Sequence, residues 1–565
     1  MSKRAGVVLF LALALAFLIV NRGAYKGFFQ DDELDNISWT PHTGLADFAR
    51  GLAAPSFQSQ NFRPAGHLYF KLMERWAGMR FPPYVFGVQL LHLLNVWLLW
   101  LVARRLGARP FAAGAAAALF AFHMALFETL WKPMYVFDVL CATFSLSCLL
   151  LFARRRWVLS FVCYWLAYKS KELAVMLPLV LACYEYGYGE RRWKPLLVFF
   201  AASLSFGLQG MLLNPNQDNA YTFRFTLPAL ATTSVFYAGR VFLLPWAGFA
   251  LLAVPWMVPD RRVRFGLAFF GLLLAPLLLL PGRLFSAYCY VPFAGLALAF
   301  AGAAGLVRRR WIALFFVVWI PFSYYHLRTQ RRAKLAADDL IRVYVTSLAE
   351  FARLHPETGA YVFNATPAGF GRWGTAAVAR YWGRRESVRV AGAGEKAAAD
   401  LNRDPRVALL NWRPFPPKLF IAARDPSAPE ASLMRMGLEA PAWQLEEGWY
   451  ASDDPYRWSM PSATARLFRP EGARTFELTV NCGPEQMALI GSFEAAVTVN
   501  AQALAPRRFG EKGWHTARWD LAPAPAGVAR VEFRVTPETR SPSDPRVFGM
   551  AVVSFGFPAA DRPVQ

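Results

Sequence analysis

Hydrophobic and polar positions divide this chain into two regimes. Up to about residue 327, apolar runs that are long enough to cross a bilayer, or nearly so, follow one another. They centre on residues 6–20, 84–103, 110–126, 134–153, 157–168, 173–188, 196–213, 235–257, 266–281, 289–306 and 311–326. The pattern predicts about eleven membrane helices. Some runs fall short of the roughly 20 residues of a perpendicular span, 157–168 most of all, so tilt, polar extension or a re-entrant path is expected there.

After Arg328 the apolar runs stop. Residues 333–354 carry a helical pattern, and AYVFNAT and RVALLNW read as short strands. Farther on, TFELTVNC, AAVTVNA, ARVEFRV and VFGMAVVSFGF alternate in strand fashion between Pro and Gly breaks. The expected architecture is a mainly α polytopic membrane domain (1–327) with an external loop at 21–83, a mixed α/β region (328–430) and a β-rich, sandwich-like module (431–565). No repeat period is evident.

Composition agrees with a membrane protein. The 565 residues are 56% hydrophobic and 16% aromatic, with mean hydropathy +0.27, too apolar for an ordinary soluble chain. The net charge of +23 does not point to nucleic acid, because the Arg and Lys residues form short clusters between apolar runs rather than one basic face. Those clusters are Lys3-Arg4, Arg104-Arg105 with Arg109, Arg154 to Arg156, Arg191-Arg192 with Lys194, Arg261-Arg262 with Arg264, and Arg308 to Arg310. Alternating spans put every one on the same side, which the positive-inside rule makes cytoplasmic. Residues 21–83, 127–133, 169–172, 214–234, 282–288 and the C-terminal region are then extracytoplasmic. MSKR followed by VVLFLALALAFLIV resembles a signal peptide, but no clean small-residue cleavage site follows, so an uncleaved first span is expected. Five cysteines (Cys141, Cys148, Cys163, Cys183, Cys289) lie in apolar runs and only Cys482 in the polar half, without metal-ligand spacing. Neither a disulfide framework nor a zinc site is expected.

The external loops gather charge, which is costly at membrane depth and therefore marks a candidate site. FFQDDELDN places Asp31, Asp32 and Glu33 just after the first span, and Arg63 follows in NFRPAGHLYF. Glu128 and Lys132 close the third span, Asp138 lies in the fourth, Lys169, Lys171 and Glu172 link the fifth and sixth, and Arg283 and Tyr288 follow the ninth. Cations of this kind suit a phosphate, which Arg takes bidentately. A carboxylate beside a hydroxyl suits general-base chemistry. Structural roles fit the same residues. Asp31 to Glu33 read equally well as a helix N-cap with acidic first-turn residues, Lys169, Lys171 and Glu172 as interfacial side chains with an internal ion pair, and the aromatic residues, Tyr288 and Tyr290 included, as a membrane belt. The scattered His67, His92, His123 and His326 read as structural. An acidic pair could hold a divalent ion but does not require one, so the cofactor is left open.

In order, these segments resemble the GT-C superfamily of membrane glycosyltransferases, closest to the membrane half of TMTC-type O-mannosyltransferases and their bacterial relatives. The resemblance rests on Asp31-Asp32 after the first span, Arg63-Pro64, the LLHLLN run (90–95), His123 with Glu128, Ser170-Lys171-Glu172 leading to Leu177-Pro178, and Arg283, Tyr288, Tyr290 and Pro292. It covers roughly residues 5–327. Met124 stands where the family has Pro, Leu126 where it has a second His, and Val136 where an Arg precedes the acid matched by Asp138. Donor phosphate binding is thereby left to Lys132, Lys171 or Arg283. The tetratricopeptide repeats of that family are absent.

The resemblance implies an enzyme that moves a sugar from a polyprenyl-phosphate donor to a hydroxyl of an extracytoplasmic protein, lipid or glycan. Asp32 is then the first choice of base, with Glu33 and Asp31 behind it. The location implied is the bacterial inner membrane, with a cytoplasmic N-terminus. Two other functions compete: a transporter or flippase of lipid-linked sugars, which inverted repeats would favour, and a non-catalytic envelope assembly protein acting through its C-terminal module.

Overall fold

The computed structural model describes residues 3–55, 63–213, 218–393, 395–542 and 544–558. The chain forms two compact units, Met1–Asp339 and Leu340–Gln565.

The first unit is helical, and each apolar run of the sequence is wholly or partly helix. Among the described residues, five helices are long and apolar enough to cross a membrane: Gly6–Lys26, Phe81–Arg105, Pro133–Ala153, Arg261–Leu279 and Ser286–Ala304. A bent pair, Pro110–Ala121 with Met124–Trp131, makes a sixth. The protein is a multi-pass membrane protein. Its helix boundaries follow local chemistry. Phe81–Arg105 opens on prolines in its first turn, where a missing N–H costs nothing, and closes on Arg104 and Arg105, whose charge suits the negative end of the helix dipole.

Two predicted spans are broken. The run 110–126 turns by 41° at Phe122–His123, where His123 is extended and the Met124 N–H leaves the helix ladder for Ser323 Oγ, 3.3 Å away. The run 235–257 is not one helix: Leu227–Val241 stops, Leu243 and Trp246 take positive φ, and a 3-10 turn Ala247–Leu252 leads into the short helix Val254–Met257. Pro245, between those two residues, has no N–H to continue a helix.

Helices Arg261–Leu274 and Tyr290–Ala304 meet almost backbone to backbone. A Cβ on Gly266 would fall 2.2 Å from the Ala299 nitrogen, and one on Gly295 would fall 2.5 Å from the Phe270 nitrogen. Small residues permit this approach, the usual basis of tight helix pairing in membranes. Between helices Phe81–Arg105 and Tyr290–Ala304, Tyr290 Oη is 2.7 Å from His92 Nδ1 and accepts a bond from Asn95 Nδ2 at 3.1 Å. The LLHLLN run and Tyr290 therefore tie helices together inside the unit.

The second unit has two parts. A four-stranded sheet in the order Arg389–Gly392, Ala360–Phe363, Val407–Pro414, Pro417–Ala423 is parallel across its first three strands and antiparallel at the last. Helices Arg372–Gly383 and Lys396–Asn402 connect the parallel strands. The second part is a sandwich of a five-stranded and a six-stranded antiparallel sheet around one apolar core that includes Leu467, Leu478, Val480, Val497, Val531, Phe533 and Phe555. Thr475–Cys482 alternates half-buried and buried along its length, as a strand with one face on a core should. The run VFGMAVVSFGF is two strands, Asp544–Phe548 and Ala551–Gly556. Between them Gly549 N–H donates to Ser459 O and Met550 N–H to Ser459 Oγ, so both amides leave the ladder.

Candidate active site

The segment after the first apolar helix supplies a short helix, Asp31–Trp39, whose N-cap is Gln30 rather than one of the acids, which fill its first turn. Its three acidic residues divide their tasks. Glu33 is 2% exposed, and both of its oxygens accept backbone N–H groups: Oε2 from Gln30 at 2.8 Å and Oε1 from Met134 at 3.3 Å. This reach back to the N-cap is one half of a capping box. Burial raises its carboxyl above the ordinary range against the opposing pull of Lys132, Lys334 and the Gln30 amide. Asp32, one residue earlier, is exposed. Among the described residues no side chain pairs with its carboxylate. Asp31 is half-buried at the start of the helix.

Cations gather around this turn. Arg283 lies within electrostatic reach of Asp32. Its Nε and Nη2 donate to Tyr288 Oη at 3.3 and 3.0 Å, and its guanidinium sits 4.4 Å over the Tyr221 ring and 4.7 Å over that of Phe285. Lys171 donates to Asp138 Oδ1 at 2.5 Å while its ammonium lies 4.4 Å over the Tyr288 ring. Tyr288 thus joins the two cations. Arg63, the N-cap of helix Pro64–Ala77, pairs through Nε with Glu172 Oε1 at 2.7 Å and lies within electrostatic reach of Asp138. Burial alone would raise the Glu172 carboxyl, but its bond and ion pair with Arg63 prevail and leave it below the ordinary value. Lys132 acts electrostatically on Glu33, and among the described residues no carboxylate pairs with its ammonium. Glu128 accepts from Ser286 Oγ at 3.0 Å.

Asp32, Arg283, Tyr288, Lys171, Asp138, Arg63 and Glu172 form one linked group. Glu128, Asp138, Tyr288 and Glu33 all act on the Tyr135 hydroxyl, which makes Tyr135 a member that sequence reasoning missed. Tyr221, over Arg283, is another. A tyrosine, whether inside an apolar run as Tyr135 is or in a loop as Tyr221 is, gives no sign in sequence of what it faces. Lys169 is buried, with its ammonium 5.6 Å over the Trp165 ring. His67 takes the Arg63 N–H on its Nδ1 at 3.0 Å. Burial, and then Arg63, lower its pKa to about 3, which keeps it neutral. Asn61 and Phe62 of the predicted NFRPAGHLYF element lie outside the described residues. Among the described residues, no group of three or more His, Cys, Asp or Glu is placed to hold a metal ion.

Chemically, an exposed acceptor-only carboxylate stands near a set of cations tied together by tyrosines and carboxylates. Such a set can hold a phosphoryl group on one side while the carboxylate takes a proton on the other.

No family model and no curated protein matches the chain. Among solved structures it is similar to arabinofuranosyltransferase AftD from Mycobacteria, with TM-score 0.47 and 13% identity over 100% of this chain and 61% of that one. It is also similar to ArnT from Cupriavidus metallidurans bound to undecaprenyl phosphate, with TM-score 0.44 and 16% identity over 73% of this chain and 94% of that one. The apo state of the same ArnT aligns with TM-score 0.43 and 14% identity. The chain thus spans 61% of the length of AftD.

Proposed function

We propose that the protein is a membrane glycosyltransferase that moves a sugar from a polyprenyl-phosphate donor to a hydroxyl of an extracytoplasmic acceptor. The observation that carries this reading is the exposed Asp32 carboxylate, free of side-chain partners among the described residues and within electrostatic reach of Arg283. The collinear motifs of the sequence support it, and the distribution of the basic linkers supports a site on the non-cytoplasmic face.

In the reaction, Asp32 takes the proton of the acceptor hydroxyl as its oxygen bonds to the anomeric carbon. The bond from that carbon to the phosphate oxygen breaks, and the electron pair leaves with the polyprenyl phosphate. Lys171 and Arg283, with Lys132, stabilise the charge that builds there. Attack opposite the leaving group inverts the anomeric centre. A positioned base contributes about 10²- to 10⁴-fold to rate.

The test is transfer by the full chain in lipid nanodiscs with polyprenyl-phosphate sugars. Asp32→Asn and Asp32→Ala are expected to lose about 10²- to 10⁴-fold in kcat while folding and polyprenyl-phosphate binding persist. Full transfer by a folded Asp32→Ala protein overturns the assignment.

A further inference from the structure

We infer that Asp338, which lies after the last apolar run, is a positioning residue that holds the Asp32 helix in its working orientation. Asp338 sits on helix Arg328–Leu354 and is fully buried (0% exposed). Both of its oxygens are committed to the first external loop or to its own helix. Oδ1 accepts from Gln30 Nε2 at 3.0 Å, and Oδ2 accepts from the Phe28 N–H at 3.1 Å and pairs with Lys334 Nζ at 2.5 Å.

The placement of these bonds gives them their effect. Residues 27–30 are irregular backbone between the 3-10 turn Arg22–Lys26 and the helix that starts at Asp31. A segment without a ladder of its own needs outside partners for its polar groups. Asp338 supplies one to the Phe28 N–H and also holds the side chain of Gln30, the N-cap two residues before Asp32. Gly27 permits the approach, since a Cβ there would lie 2.9 Å from Asp338 Oδ2 and 2.9 Å from the Phe81 ring. Lys334 completes the arrangement by neutralising the buried carboxylate and by acting electrostatically on Glu33, the other clamp on the same turn. A carboxylate from beyond the membrane runs therefore fixes the entry angle of the helix that carries the base. Rotation of that first turn would carry Asp32 away from Arg283. A displacement of about 1 Å at a reacting group costs on the order of 10² in rate.

The activity arm of the test rests on Asp32 being the base, and the structural arm does not. Asp338→Asn keeps the shape but replaces one accepting oxygen by a donor. In the full chain in nanodiscs it is expected to speed amide hydrogen exchange across residues 28–34, to lower kcat about 10- to 100-fold, and to leave KM for the donor unchanged because Lys171 and Arg283 are untouched. Gln30→Ala removes one of the two loop contacts of Asp338 together with the side-chain half of the capping box, and it is expected to speed exchange across residues 28–34 and to lower kcat, since Phe28 alone then ties the segment to Asp338. A Lys334→Asp, Asp338→Lys exchange restores the ion pair without the acceptors for Phe28 and Gln30, and activity is expected to stay low. Unchanged exchange at 28–34 in Asp338→Asn overturns the inference. So does unchanged kcat, or recovery of activity in the exchanged pair. Should the wild-type chain transfer no sugar, the proposed function fails, and the exchange measurement alone decides the role of Asp338.

Discussion

The Lys171 ammonium stands 2.5 Å from an Asp138 carboxylate whose side chain is 2% exposed, while the lysine itself is 14% exposed. The more buried partner depends on the less buried one. Lys171→Met strands a buried carboxylate and is expected to destabilise the protein by about 3–5 kcal/mol. Combining it with Asp138→Leu removes the stranded charge and is expected to recover most of that loss in thermal unfolding. Sugar transfer is expected to stay low in the double variant, because the cation proposed for the donor phosphate is still missing. Restored transfer would show that the pair serves the fold alone.

Glu33 and Asp32 are adjacent acids with opposite surroundings, and their amides should separate them. Glu33→Gln can accept only one of the two backbone N–H bonds, and its NH2 group faces a donor. It is expected to cost about 1–3 kcal/mol of stability. Asp32→Asn, exposed, is expected to fall within about 0.5 kcal/mol of wild type while losing activity. Equal shifts in melting temperature would refute this division.

His67 gives the pH dependence a definite sign. Its folded pKa of about 3 lies below the ordinary value near 6.5. Between the two the unfolded chain therefore binds more protons than the folded one, and stability falls as pH falls. The contribution is fully present above about pH 6.5 and declines by up to about 1.4 kcal/mol per unit below it. His67→Asn keeps an acceptor for the Arg63 N–H but cannot titrate. Between pH 7.5 and pH 5 the wild type is expected to lose about 2 kcal/mol more than this variant. Parallel unfolding curves over that range would show that His67 is not shielded.

The course of the chain was legible where one physical term dominates. Apolar runs gave the membrane helices because burial in lipid overrides propensity, and alternation gave the sandwich strand Thr475–Cys482 because one face meets a core. The run 235–257 misled because apolar character says nothing about the backbone at Leu243 and Trp246, where φ is positive. At the site, residue types were readable but partners were not. Lys171 with Asp138, and Arg63 with Glu172, join residues far apart in sequence. The acids were readable as the start of a helix, but not that Gln30 would be its N-cap and Glu33 the residue reaching back to it. Asp338 had no sign at all, since one acid on a charged helix looks like every other until the fold places it.

The closely packed pair Arg261–Leu274 and Tyr290–Ala304 bears on how firmly the segment between them is held. Where two helices touch through Gly266 and Gly295, neither can slide without driving backbone into backbone. The connection between them, which carries Arg283 and Tyr288, is thus anchored at both ends to one stiff frame. The Arg283–Tyr288 bond is therefore carried by a segment whose two ends cannot move apart, whereas the Asp31–Trp39 helix depends on single side-chain bonds such as those of Glu33 for its placement.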